Sequence, residues 1–274
     1  MGFFTCMLMT NPIFKPIKIQ NPNIHKTLDA ENISVQPCQR YYIDMGSNIG
    51  VQIRKLFEPI HYPDAPVLNI FSEYFGTQDM RDSSAKICAV GFEMNPVHTN
   101  RLKSLESIYN RCGFHTKIYT ETAVSTTSKE MTQFWSDNDF YNHEWGASAM
   151  YKWPEQINNT VLVNSIDISD FMLKHVIPYA STIVVKMDIE GQEVKILPDL
   201  LASGAMCHID LIFIELHRRM ISDSNTLENF DLFIKSLEYS LKNSNCKTKI
   251  SYMDDETYNR DDHLDIGNCL KNSG

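Results

Sequence analysis

No Cys-x-x-Cys pair, no internal repeat, no surplus of basic residues and no apolar run of membrane-spanning length occurs in this chain of 274 residues. Each absence removes a class of function. The seven cysteines (Cys6, Cys38, Cys88, Cys112, Cys207, Cys246 and Cys269) lie far apart and are odd in number. Neither a zinc cluster nor a full disulfide framework is expected from them. Free thiols in a reducing, cytoplasmic setting fit that spacing best. Lys and Arg number 25 against 34 Asp and Glu, a formal charge of −9. Such a surface repels polyphosphate, so no nucleic-acid partner is expected, although a local basic cleft stays open. The apolar start Met1–Met9 is too short for a membrane span and lacks the flanks of a signal peptide. Gly2 suits myristoylation, but position 6 is Cys rather than Ser or Thr. The secretory pathway and a lost N-terminal anchor remain alternatives; the sequons Asn32-Ile33-Ser34 and Asn158-Asn159-Thr160 matter only there.

What is present is enough apolar material for a core, at 43% of the residues. Three regions are expected: an irregular leader over 1–39, one domain over 40–253, and a polar tail over 254–274. Within the domain, strands and helices alternate. Strands are expected at 40–45, 86–93, 116–124, 130–135, 182–188, 208–216 and 248–253. Helices are expected at 50–58, 96–112, 166–176, 192–202 with a break near Pro198, and 229–241. This βα order predicts an α/β fold, a mostly parallel central sheet with helices on both faces. Ligands of such sheets bind beyond the carboxyl ends of the strands. Residues 60–85 interrupt the pattern as an insertion, read equally as a lid over the site or as a peripheral decoration.

Four groups of residues sit where strands end. Asp44-Met45-Gly46-Ser47-Asn48-Ile49-Gly50 turns the first strand into the first helix; the glycines permit a sharp turn and Asn48 tolerates a left-handed conformation. Alone this is a weak signal, and an ordinary strand-to-helix turn is then the stronger reading. Glu93, in Val90-Gly91-Phe92-Glu93-Met94-Asn95-Pro96, ends the second strand, where an acid can take both hydroxyls of a ribose. Lys186-Met187-Asp188-Ile189-Glu190-Gly191-Gln192-Glu193 brings several carboxylates off a buried strand, a costly placement unless they are solvated, paired or functional. Glu190 could pair with Lys186, and Glu193 could simply favour a helix dipole. Glu215 and His217 end the next strand; His217 reads as a general base or as a structural histidine. Asp188 and Glu215 could share a divalent cation, but carboxylate clusters often lack one and no metal is expected.

With these residues in order, the chain resembles the FkbM-type family of S-adenosylmethionine-dependent methyltransferases. The resemblance rests on Tyr42–Gly50, Val90–Pro96, Glu121–Ser125, Ser165–Phe171 and above all Val185–Glu193. It implies a Rossmann-like class I methyltransferase fold and S-adenosyl-L-methionine as cofactor. It implies cofactor contacts from Asp44, Gly46, Ser47, Asn48, Gly50, Glu93, Asn95, Glu121 and Ala123, with Glu93 on the ribose and Glu121–Ala123 bordering the adenine. Trp145-Gly146-Ala147-Ser148 resembles a small-residue segment near cofactor or acceptor. Asp188, Glu190 and His217 are the catalytic candidates. The implied reaction is O-methylation of a small-molecule or carbohydrate hydroxyl. The 60–85 insertion and Met94, where the family often has Pro, depart from the common pattern. Two rivals stand beside this reading: a non-catalytic methyltransferase-like binding module, and an NAD-dependent oxidoreductase, which the missing Gly-x-Gly-x-x-Gly disfavours.

Overall fold

A computed structural model describes residues 35–82, 86–128, 130–136, 147–150, 160–243, 245–255 and 257. Six strands form the main sheet: β1 (Arg40–Met45), β2 (Ile87–Glu93), β3 (His115–Thr120), β7 (Thr182–Met187), β8 (Leu211–Ile214) and β9 (Lys249–Tyr252). Their order is β3-β2-β1-β7-β8-β9, and every neighbouring pair is parallel. A parallel sheet is covered on both faces, so its strands need apolar residues at successive positions. In β1, Tyr41, Ile43 and Met45 pack on one face with α5 (Ile168–Phe171), α6 (Glu193–Ala202) and α7 (Ser224–Lys242). Tyr42 packs on the other face with α1 (Val51–Phe57), α2 (Val67–Phe75) and α4 (Thr99–Arg111). The expected α/β architecture, parallel sheet and two helical layers are what the structure has.

Chain order reverses at β1. From there β2 and β3 build outward on one side, and β7, β8 and β9 on the other. The crevice this leaves at the carboxyl ends of β1 and β7 is the usual ligand position of such sheets.

Several local expectations are corrected. The strand expected over 116–124 is two strands, broken where Glu121 takes a left-handed conformation, φ 53°. The second piece, β4 (Thr122–Ser125), leaves the main sheet and joins β6 (Thr160–Asp167) and β5 (Thr132–Trp135). β6 occupies the start of the helix expected at 166–176. That helix begins at Ile168, capped by the Asp167 side chain on Asp170 N, and continues as a π-turn over Met172–Val176. Pro198 does not break α6, because Ile196, Leu197 and Leu200 are buried around it. α7 starts earlier than expected, where Asp223 accepts from Thr226 N at 2.7 Å. The strand expected over 208–216 is only β8, with a 3-10 turn over Ala205–His208 before it.

The 60–85 segment contributes α2 and α3 (Gln78–Asp82), and α2 buries Val67, Phe71 and Phe75 completely in the core. Packing continues beyond the first and last strands of the main sheet. Cys38 is buried before β1, and Asp255 pairs with the buried Lys55 at 2.9 Å after β9. The leader up to residue 34, the asparagines of both sequons and the tail beyond residue 257 lie outside the described residues.

The free-thiol expectation is also corrected. Cys38 and Cys88 are disulfide-bonded across 5.8 Å between Cα atoms, and Cys207 and Cys246 across 4.6 Å. The reason lies in strand pairing, which linear spacing does not report. Tyr41 pairs with Cys88 in the β1–β2 ladder, bringing Cys38 alongside. Cys207 and Cys246 precede the adjacent parallel strands β8 and β9. Among the described residues, no helix is long and apolar enough to cross a membrane.

Candidate functional site

A cleft opens at the carboxyl ends of β1, β2, β7 and β8. Its first wall is the turn from β1 into α1. Gly46 has φ +83°, and a Cβ there would come within 1.8 Å of the Asp188 carbonyl oxygen. The turn therefore lies directly against the end of β7, a closeness only glycine permits. Asn48 has φ 46°, the left-handed conformation its residue type was expected to tolerate. Gly46, Ser47 and Asn48 line the cleft. Gly50 is set back, closing the turn against Leu105 of α4, whose Cδ2 would lie 2.6 Å from a Cβ at residue 50.

Glu93 ends β2 and faces the same cleft. Asn48 N donates to its Oε2 and Asn95 N to its Oε1, each at 2.6 Å. Two backbone amides thus hold the carboxylate plane, and each oxygen keeps a further lone pair for a ligand. Burial pushes the Glu93 pKa up to about 7, with the Asn95 and Asn48 amides pulling it back. Asn95 does not itself line the cleft; its side chain accepts from Val97 N, and its role is to hold Glu93. Glu121 is likewise set back. Its carboxylate accepts from Thr99 Oγ1, and its left-handed turn delivers Thr122 and Ala123 to the cleft wall. Ala147 and Ala149 line the cleft too, while Trp145 and Gly146 fall outside the described residues.

Asp44 lies beneath, fully buried, with no hydrogen-bond partner for either carboxylate oxygen. Burial raises its pKa to about 6, against the Lys186 charge 3.7 Å away. Lys186 is a feature that sequence reasoning undervalued. It pairs with Asp188 at 2.9 Å and donates to the Gly46 carbonyl at 2.7 Å; it does not pair with Glu190. Burial opposes its charge, but Asp188 and Asp44 outweigh that and hold its pKa above the usual lysine value. The signal was available: a lysine inside Ile183-Val184-Val185-Lys186-Met187 can be buried only if paired. Gln52, in the first turn of α1, also lines the cleft, with its Oε1 lacking a hydrogen-bond partner. Nothing in its local sequence marked it.

The second wall gathers the catalytic candidates around His217. Its Nδ1 lies 3.1 Å from Glu193 Oε1. Its Nε2 faces Glu215 at 3.1 Å, Glu190 at 3.6 Å and Asp188 at 3.7 Å. Glu193 therefore does more than favour a helix dipole: it is buried and anchors the histidine ring. Glu190 is left-handed, φ 53°, and its carbonyl accepts from Ser148 Oγ at 2.6 Å. Non-glycine residues in that conformation are strained by about 1–3 kcal/mol each and gather at functional sites. Among the described residues they are Asn48, Glu121 and Glu190, all in or beside this cleft.

Electrostatics separates the roles of the cluster. Burial would lower the His217 pKa, but its bonds to Glu193 and Glu215 and the charges of Glu190 and Asp188 raise it to about 11. Asp188 is held low despite burial, by Lys186 and His217. Glu190 is pushed up to about 8, chiefly by burial, with His217 opposing.

The family model for the methyltransferase FkbM domain matches residues 44–241. No curated protein and no solved structure matches the chain.

Proposed function

Since the chain belongs to the FkbM methyltransferase family, we propose that it transfers a methyl group from S-adenosylmethionine to a hydroxyl of a small-molecule or carbohydrate acceptor. The observation that carries this reading is Glu93: a buried carboxylate, fixed by two amides of the flanking loops, faces a cleft where the strand order reverses. The remaining walls fit the same cofactor. The unpartnered Gln52 Oε1 suits an ammonium group, and the Gly46 turn, pressed against the end of β7, forms the cleft wall beside it. Glu93 would take the ribose hydroxyls, Gly46 to Asn48 the methionine part, and Thr122 to Val124 the base. When bound, S-adenosylmethionine supplies an electrophilic methyl group on a sulfonium sulfur.

The chain's own contribution is positioning and proton transfer. Asp188, kept ionised by Lys186, orients the acceptor hydroxyl. The acceptor's proton passes to the Glu190–Glu215 carboxylates, where Glu190, with its pKa near 8, is matched to proton transfer around neutrality. His217 stays charged in the protein as described and holds those carboxylates together. It is therefore proposed as a catalytic partner that orients them, rather than as the base.

Calorimetry with S-adenosylmethionine, S-adenosylhomocysteine and NAD tests the cofactor. Binding of the first two is expected; binding of NAD alone, or of none, overturns the reading. A screen of hydroxylated acceptors with labelled methyl donor tests the reaction. In it, Asp188→Ala, Glu190→Gln and His217→Ala are expected to cut turnover while keeping cofactor affinity. Full turnover in all three removes the cluster from catalysis. The disulfides further support an oxidising compartment as the place where this chain works. The cytoplasmic expectation rested on free thiols and loses that ground.

A further inference from the structure

We propose that Asp188, Glu190 and His217 form a divalent-cation site in the acceptor half of the cleft. One oxygen from each carboxylate and Nε2 of the imidazole would be the ligands, the ion displacing the Nε2 proton of the charged His217 to solvent. These three ligand atoms already lie within 4.8 Å of one another. An ion about 2.1 Å from each would hold them within roughly 4.2 Å, so the cluster needs to close by less than about 1 Å.

Three observations point to a cation and go beyond a gathering of acids. The first is His217 itself, whose side chain is only 3% exposed and which turns Nε2 toward three carboxylates from two strand ends. The second is its other nitrogen. Nδ1 bonds to Glu193, a carboxylate exposed by 1%, and Glu193 also accepts from Ile189 N at 3.1 Å. A ring nitrogen tied to a buried carboxylate is the usual outer support of metal-bound histidines, and an ion at the opposite nitrogen would replace the proton that Nε2 now shares with Glu215 at 3.1 Å. The third is Glu190 Oε2, a buried carboxylate oxygen with no hydrogen-bond partner.

Charge balance points the same way. Asp188, Glu190, Glu193 and Glu215 all face His217, and Lys186 pairs with only one of them. An acceptor that must give up a proton beside so much negative charge needs a positive centre to hold its oxygen. A divalent ion supplies one and lowers the pKa of an oxygen bound to it. The site rests on the methyltransferase reading and changes it in one respect: with Glu190 bound to the ion, Glu215 of the same pair takes the acceptor's proton. The imidazole nitrogen beside two carboxylate oxygens favours a transition ion such as Mn²⁺ over Mg²⁺, which takes oxygen ligands.

The test is titration of the full chain, stripped with EDTA, with MnCl₂, followed by calorimetry and by the Mn²⁺ paramagnetic resonance signal, with no methyl donor or acceptor present. One ion per chain is expected. Glu190→Gln and Asp188→Asn should each weaken binding about tenfold or more, with the thermal midpoint checked for each. His217→Gln should do the same, and the two carboxylate variants keep the test valid if that buried change prevents folding. MgCl₂ should bind about tenfold more weakly. Absence of saturable Mn²⁺ binding, or binding that all folded variants retain, overturns the site. Equal affinity for Mg²⁺ and Mn²⁺ overturns the role of His217 as a ligand. Because the titration contains no S-adenosylmethionine, its failure and a failure of the methyltransferase reading are separate results.

Discussion

Glu93 carries opposite consequences for the empty and the loaded protein. Its carboxyl has a pKa of about 7 in the fold against an ordinary 4.5, because burial outweighs the two amides. The folded state thus binds its proton more tightly than the unfolded chain does. From this group, stability is fully present below about pH 4.5 and is lost as pH rises through about 7. Asp44, raised from 3.8 to about 6, acts in the same direction. A ribose diol needs the ionised form as acceptor, so cofactor affinity should rise over the same window in which the empty fold weakens. The expected result is a thermal shift by S-adenosylmethionine that grows from pH 5.5 to 8. In Glu93→Gln it should be smaller and flat with pH, with affinity lowered about tenfold or more. A pH-independent shift in the unaltered protein would remove Glu93 from the ribose. Gly46 gives a steric test of the same wall. Alanine there must accept φ +83° and a Cβ 1.8 Å from the Asp188 carbonyl oxygen. Gly46→Ala should cost about 3 kcal/mol in denaturant unfolding and abolish cofactor binding. An unchanged midpoint would mean the turn and β7 are not in contact.

Among the elements, α2 decides how residues 60–85 are to be understood. Phe71 is fully buried, meets the Tyr42 ring edge-on at 5.0 Å, and packs beside Phe75. None of the described residues from 60 to 82 lines the cleft. The segment is therefore core, and Phe71→Ala should destabilise the protein by about 3–5 kcal/mol with cofactor affinity of the folded protein unchanged. A lid would show the reverse, altered ligand binding at constant stability. The strands of the main sheet were legible because parallel strands are continuous apolar runs and their ends carry the acids. The cleft was legible for the same reason: Gly46, Glu93, Asp188 and His217 each lie at, or within three residues of, a strand end. What stayed hidden depended on tertiary context. β6 was masked because Ile166 and Asp167 begin what also reads as a helix. The break at Glu121 was invisible because a glutamate gives no warning of a left-handed turn. The ring of acids about His217 required knowing that Glu193, on α6, faces back toward β8.

For the whole molecule, the disulfides Cys38–Cys88 and Cys207–Cys246, both among the described residues, tie together parts of the fold that the core already holds close. Cys38 and Cys88 join the entry to β1 with β2 across 50 residues, and Cys207 and Cys246 join the starts of β8 and β9 across 39. Closing a loop of that first size removes unfolded-state entropy worth about 4 kcal/mol in the chain-entropy model. Neither bond touches the cleft, whose walls are the carboxyl ends of the strands, while both staples sit at or before the amino ends. Stability and site should therefore respond separately to reduction. Dithiothreitol is expected to lower the thermal midpoint by roughly 10 °C while leaving the affinity for S-adenosylmethionine near its original value at 20 °C. Thiol titration in guanidinium, before and after reduction, reports whether Cys38, Cys88, Cys207 and Cys246 were bonded. Four reactive thiols at these positions before reduction, with no change in midpoint on adding reductant, would return the chain to a reducing compartment. Loss of cofactor affinity on reduction, at a temperature where the fold persists, would instead mean that the amino-terminal edge of the sheet governs the shape of the opposite edge.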